Sequence, residues 1–192
     1  CAEAEKEWQA LVVTNLADNF SVGANLMMLL KEAMEGNWED IDMIVRAFQA
    51  ANGRLEHCAV PVVTAPAGLA LGGGCEVTMG GNAVRGAAEL YIGLVEFGAG
   101  VIPAGGGCLR LYQRNVDLLT DKKDLQPAFR RAFETIGMAK VATSAAEARD
   151  LGFLRPGDSW SMNRDHLAAD AKDLALALAA GNHVSPNEDP AI

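Results

Sequence analysis

The ten residues Ala67-Gly68-Leu69-Ala70-Leu71-Gly72-Gly73-Gly74-Cys75-Glu76 constrain this chain more than any other stretch. An apolar run over residues 59–65 leads into them, and a helix over residues 76–79 is predicted to lead out. Glycines carry no Cβ, so three in a row at a strand-to-helix turn let a ligand approach the backbone closely. The helix start behind them aims unpaired N–H groups and the positive end of its dipole at the same point. Glu76 follows about one turn later and can face the same cavity. Anion-stabilising amides beside a carboxylate are what acyl chemistry through an oxyanion or enolate requires. A tight packing turn with a glutamate at the helix start accounts for these ten residues equally well, so the decision falls to the rest of the chain.

With 192 residues the chain is read as one domain large enough for a real core. Half the residues are hydrophobic and 21% are charged, which places it in the soluble globular class. A net charge of −9, with no offsetting Lys/Arg cluster, argues against general nucleic-acid binding. Cys1, Cys58, Cys75 and Cys108 have no zinc-site spacing, and nothing signals export, so reduced thiols in the cytoplasm are expected. His57, His166 and His183 form neither a metal cluster nor a triad. No apolar run approaches the ~18 residues of a membrane span. The N-terminus has no Met and begins mid-pattern, like the end of a helix, which reads as a fragment.

The chain alternates strand and helix patterns. A short buried strand is predicted over 10–14 and helices over 26–35 and 38–55, with apolar residues at helical spacing. Further strand-like runs follow at 60–63, 82–87 and 88–92, then a glycine-rich loop over 93–107 whose amides are free to serve a site. Helices are expected from Cys108, from Leu125 to Gly137, from Thr143 with Ser144 and Glu147 as a capping box, and over 164–180. Residues 184–192 read as a tail or linker. This alternation implies a parallel sheet and an α/β layer fold.

Two further constellations bear on chemistry. The loop Asn19-Phe20-Ser21-Val22-Gly23-Ala24-Asn25 follows one strand as the triple glycine follows another. Loops at the same end of parallel strands share a crevice, so the amides of Ala24 and Gly73 could point into one site. An ordinary connection with Asn25 capping the next helix explains this loop as well. Glu96 lies in the apolar, glycine-rich stretch Gly93-Leu94-Val95-Glu96-Phe97-Gly98. A buried carboxylate is costly without a purpose, although a loop glutamate at the surface fits the sequence too. Glu76 and Glu96 together would be a pair for acid/base work, with Glu89 as a weaker competitor. Ser21 and Ser144 have no partnered His, and no Gly-x-Ser-x-Gly elbow, Walker motif or well-placed Gly-x-Gly-x-x-Gly exists.

Taken in order, these motifs resemble those of the crotonase (enoyl-CoA hydratase/isomerase) superfamily. Residues 20–25 resemble its first oxyanion-hole motif and residues 65–76 its second. Val95-Glu96 through Val101-Ile102-Pro103-Ala104-Gly105-Gly106-Gly107 looks like its Pro-Glu…Ile-Pro-Gly-x-Gly-Gly segment, and residues 143–154 like a later Ser-Ala-x-Glu-Ala…Gly-Leu element. Asn25 in place of the commoner Asp, and Gly-Leu-Val-Glu in place of Gln-Pro-Glu, look like the hydratase domain at the C-terminal end of a fused 3-hydroxyacyl-CoA dehydrogenase/enoyl-CoA hydratase.

The resemblance implies a ClpP/crotonase-like α/β fold of repeated ββα-type turns with flanking helices, truncated at both ends. It implies a crotonase-like domain over residues 1–183, incomplete at its N-terminal side. Ala24 and Gly73 would form the oxyanion hole, Glu76 and Glu96 would be the catalytic glutamates, and Phe20, Val22, Gly72 and Pro103 would contact substrate. The implied activity is hydration of trans-2-enoyl-CoA in fatty-acid β-oxidation. No metal or resident cofactor is implied. Coenzyme A arrives on the substrate, and NAD belongs to an attached dehydrogenase domain. A homo-oligomer is compatible with the resemblance, which does not give the oligomeric state. An enoyl-CoA isomerase, or a non-catalytic acyl-CoA-binding or assembly domain, remains as an alternative. Activity is expected of a longer polypeptide rather than of this stretch alone.

Overall fold

The computed structural model describes residues 1–186, so most of the expected tail lies outside the described residues. Helix α1 (Ala4–Glu7) is a single turn, followed by strand β1 (Leu11–Thr14). Helices α2 (Leu26–Glu35) and α3 (Trp38–Glu56) form a hairpin whose ends are set locally. The Asn25 carboxamide oxygen accepts from the amides of Met27 (3.1 Å) and Met28 (3.3 Å), capping α2. Gly36, at φ 77°, ends it in the left-handed conformation.

Strands β2 (Val62–Ala65) and β3 (Leu69–Leu71) then lead to helix α4 (Gly73–Met79). After α4 come β4 (Ala83–Ala87) and β5 (Tyr91–Gly93), a 3₁₀ turn at Glu96–Ala99, and helices α5 (Gly107–Asp117) and α6 (Gln126–Gly137). Strand β6 (Val141–Ala142), helix α7 (Ala145–Asp150), strand β7 (Ser159–Ser161) and helix α8 (Leu167–Ala180) complete the described chain.

The strands form two sheets. One is fully parallel in the order β1-β2-β4-β7, and the other runs β3-β5-β6 with only the last pair antiparallel. β2 is a central strand and every residue in it is buried, as the unbroken Val-Val-Thr-Ala pattern requires of a strand covered on both faces. On one face α8 lays Leu167, Ala171 and Ala175 against Val63, Ala65 and Ala87, small side chains that permit close approach. On the other, Phe20, Cys75, Met79, Val84, Leu90, Ile92, Leu94, Leu111 and Phe153 form the main core between the sheets. Burying several such side chains, at about 1.5–3 kcal/mol each, is what holds the glycine turn in place.

The capping box at α7 forms in modified shape. Ser144 Oγ accepts from the Glu147 amide at 3.1 Å, while Glu147 reaches back to the amide and hydroxyl of Thr143, both at 2.8 Å. The run 88–92 is a strand only from Tyr91, because Ala88-Glu89 form a turn and Glu89 is exposed there. Its exposure removes Glu89 as a competitor for acid/base work. β3, β6 and β7 are two or three residues long and carry no periodic signal of their own.

Candidate active site

β3 places the glycine turn. Ser21 bridges to Ala70 in parallel fashion, with the Ser21 amide donating to Leu69 O (3.0 Å) and the Leu71 amide to Ser21 O (2.9 Å). Residues 19–22 thus run alongside β3, the strand hidden in the sequence, rather than merely standing beside a loop of β2. The Asn19 carboxamide oxygen accepts from the Leu69 amide at 3.0 Å, and Asn15 Nδ2 donates to Asn19 O (3.0 Å) and Phe20 O (3.1 Å).

The glycines in the turn serve different ends. Gly72 adopts φ 54°, ψ −123°, a conformation that L residues with a Cβ rarely reach. Its amide donates to Gly93 O at 2.9 Å, tying the turn to the end of β5. Gly74 is set by packing rather than by ligand approach: a Cβ there would lie 2.5 Å from Ser21 O. Gly73 opens α4, where a helix has no internal acceptor for its N–H. A Cβ on Gly23 would stand 3.1 Å from Gly73 N, so the segment carrying the Ala24 amide passes the Gly73 amide. Val22 and Ala24 are exposed beside it. Phe20 points into the core, and Pro103 is buried 3.0 Å from the position a Gly107 Cβ would take.

The two glutamates converge on this turn from different elements. Glu76, one turn into α4, is only 2% exposed. Its Oε1 accepts from the Gly107 amide at 2.8 Å, and the Gly105 amide lies near enough to favour the carboxylate's charged form. Burial pushes its pKa up, while the amides of Gly107 and Gly105 and the nearby Arg110 guanidinium pull it back. Glu96 begins the 3₁₀ turn and lies over Gly72, with Oε1 3.4 Å from where a Gly72 Cβ would be. Its Oε2 is buried and has no hydrogen-bond partner among the described residues. Burial raises its pKa to about 7, helped by the charge on Glu76 and opposed by a backbone amide. Burial thus pushes both carboxylates up; the Gly107 amide offsets part of this at Glu76, while Glu96, with no donor on Oε2, is left to gain a proton near neutrality.

The raised pKa of Glu96 has a consequence for stability. Below the unfolded value near 4.5 both states are protonated and nothing is lost. Between 4.5 and about 7 the unfolded chain releases the proton first, so stability falls as pH rises, and above 7 the loss is complete. Glu96→Gln should therefore raise Tm at pH 8 and leave it nearly unchanged at pH 4.5, by roughly 3 °C for each kcal/mol relieved. Equal Tm changes at both pH values would contradict the burial of this carboxylate.

Helix α3 contributes a set of contacts that the sequence did not signal. Phe48, Asn52 and Glu56 recur at every fourth residue and share one face. The Phe48 ring lies 3.3 Å from a Cβ position on Gly73 and fills the space a Cβ on Gly105 would need, so it covers the floor of the site. Gln49 Nε2 donates to Ala104 O (2.7 Å) and Asn52 Nδ2 to Gly105 O (2.9 Å). Glu56 pairs with Arg110 at 2.8 Å. The available clue was Asn52 itself, a polar residue four positions after Phe48 on the apolar face of the helix. No cluster of metal-ligating side chains, and no helix long and apolar enough to cross a membrane, occurs among the described residues.

The sequence model of the enoyl-CoA hydratase/isomerase family matches residues 1–117, more than half of the chain. A Bacillus subtilis protein described as a probable 3-hydroxyacyl-CoA dehydrogenase is 44% identical over 176 residues, covering 92% of this chain and 22% of that protein. A Rickettsia felis protein named for a fatty acid oxidation complex trifunctional enzyme is 34% identical over 114 residues, 59% of this chain and 16% of its own length. The chain thus spans about a fifth of the curated relatives it matches. Among solved structures, an enoyl-CoA hydratase from Bacillus anthracis superposes with a TM-score of 0.73 at 25% identity, covering 93% of this chain and 62% of that one. The mixed α/β architecture is that of the crotonase fold, and the chain belongs to the enoyl-CoA hydratase/isomerase family.

Proposed function

We propose that this domain hydrates trans-2-enoyl-CoA to 3-hydroxyacyl-CoA in fatty-acid β-oxidation, within a polypeptide that also carries a 3-hydroxyacyl-CoA dehydrogenase. The observation that carries the reading is the pair Glu76 and Glu96, both buried enough to shift and both set against the glycine turn. An isomerase can work with one glutamate, and a binding domain needs none. The names of the Bacillus and Rickettsia relatives support the dehydrogenase and β-oxidation setting.

In this mechanism the thioester oxygen lies between the amides of Ala24 and Gly73. Water attacks Cβ and the electron pair of the double bond moves through Cα onto that oxygen. The amides bind the resulting enolate more strongly than the starting carbonyl, which is how they lower the barrier. Glu76, oriented by the Gly107 amide, takes the proton from water in its charged form. Glu96, protonated in part near pH 7, delivers a proton to Cα. The two acids exchange one proton before the next turnover and titrate as a coupled pair. Val22, Gly72, Pro103 and Phe20 shape the surroundings of the acyl group, Phe20 through the core behind it. Coenzyme A enters on the substrate, no metal or resident cofactor takes part, and NAD serves the dehydrogenase part.

Parallel assays with 2-enoyl-CoA and 3-enoyl-CoA of equal length test the reading. Faster consumption of the 2-enoyl substrate, with a 3-hydroxyacyl product, is expected. Preference for the 3-enoyl substrate would assign an isomerase, and saturable binding with no turnover would assign an acyl-CoA-binding domain.

A further inference from the structure

The segment Ala104-Gly105-Gly106-Gly107 holds Glu76 through the Gly107 amide, yet glycines in succession give it little stiffness of its own. Its restraint comes from outside. In a planar trans peptide the carbonyl and the following N–H point in opposite directions. Gln49 holds Ala104 O, and the amide on the other side of that peptide is Gly105 N, which lies near the Glu76 carboxylate and favours its charged form. Asn52 at 2.9 Å, with Arg110 at 3.4 Å, holds Gly105 O, one peptide before the amide of Gly107. The Phe48 ring presses on Gly105 from the same helix, and Glu56 orients Arg110.

Asn52 is the least expected member. It is 1% exposed, and its Oδ1 finds no partner among the described residues. A buried amide with half its capacity unused costs stability, so the bond it does make carries the reason for its presence. α3 is otherwise half-exposed, with no other residue buried.

We propose that Asn52, assisted by Gln49 and Arg110, is a positioning residue for Glu76: it locks the 104–107 backbone so that the Gly107 amide stays turned onto the carboxylate. The helix hairpin over the site is thereby coupled to the strength of the base, and a shift of α3 weakens the hold on the base as well as uncovering the site. The groups facing Glu76 are Arg110 from α5, which is paired with Glu56, together with Glu96, Cys75 and Cys108. None of these side chains is replaced in the Asn52 and Gln49 variants, so a change in Glu76 reports the loop and the Arg110 that shares Gly105 O with Asn52.

This rests on Glu76 acting as the base of a hydratase, and the test separates the two ideas. The full chain, carrying glutamate labelled with ¹³C at Cδ, is titrated by NMR, with the Glu76 resonance assigned from Glu76→Gln. Asn52→Ala should raise the Glu76 titration midpoint by about one pH unit, the scale of losing an aligned donor to a carboxylate. Gln49→Ala, at an exposed position that the fold tolerates, should move it in the same direction by less. The acid limb of the kcat/KM profile for crotonyl-CoA should move by the same amounts. An unchanged midpoint in each variant that keeps the wild-type circular dichroism overturns the proposal. Midpoints that shift in a protein unable to hydrate crotonyl-CoA would uphold the clamp and overturn the hydratase reading instead.

Discussion

Glu76→Gln and Glu96→Gln should each lower crotonyl-CoA hydration by about 10²–10⁴-fold, the range for a positioned acid or base. The two losses should differ in kind. In Glu76→Gln the new side chain would keep its place, since a carboxamide oxygen can still accept from the Gly107 amide at the 2.8 Å position, but it cannot take a proton from water. Substrate binding should survive and the fall should be in kcat. Glu96→Gln removes the group whose pKa lies at about 7, and with it one limb of the pH–rate profile between about pH 6 and 8. The double variant should be little worse than the poorer single one, because both acids serve one transition state. Steady-state rates measured across the neutral range, from acid to alkaline, check all three statements. Near-normal turnover in either single variant would remove that carboxylate from the mechanism.

Gly73→Pro should lower kcat by a further factor of about 10²–10³ relative to Gly73→Ala, since removing one oxyanion donor costs that much in other acyl-transfer sites. Proline is tolerated at the first residue of a helix, where Gly73 sits, so α4 should persist while its leading N–H is gone. Gly73→Ala is the control for bulk. Its Cβ would meet the Phe48 ring at 3.3 Å, a contact that a small ring movement relieves. Rates for the two variants, compared at equal helicity by circular dichroism, isolate the amide. Equal rates would mean that the Gly73 N–H does not touch the reacting oxygen.

Much of this was legible in the residues, and for identifiable reasons. The bounds of α2 could be read because Asn25 and Gly36 cap it and Leu26, Leu29 and Leu30 repeat along one face. The parallel sheet followed from the alternation of strand and helix patterns, and the covered strand β2 agrees with it. Glu76 stood out by its place one turn past the glycines, and Glu96 because charge in an apolar, glycine-rich setting is costly. β3 escaped notice, because three residues between Gly68 and Gly72 carry no period, and with it went the true neighbour of the 19–22 loop. Gly74 looked like ligand space and proved to be contact space for Ser21. The contacts of Gln49 and Asn52 with 104–107 join positions more than fifty residues apart, and no local pattern encodes them.

The most direct test of the central claim is to follow crotonyl-CoA through the protein in H₂¹⁸O and D₂O and to analyse the product by mass spectrometry. Addition of water across the double bond, with Ala24 and Gly73 holding the enolate oxygen and Glu96 protonating Cα, places ¹⁸O on C3 and one deuterium on C2 of an intact thioester. Deuterium without ¹⁸O, or ¹⁸O in a freed carboxylate, would contradict the account.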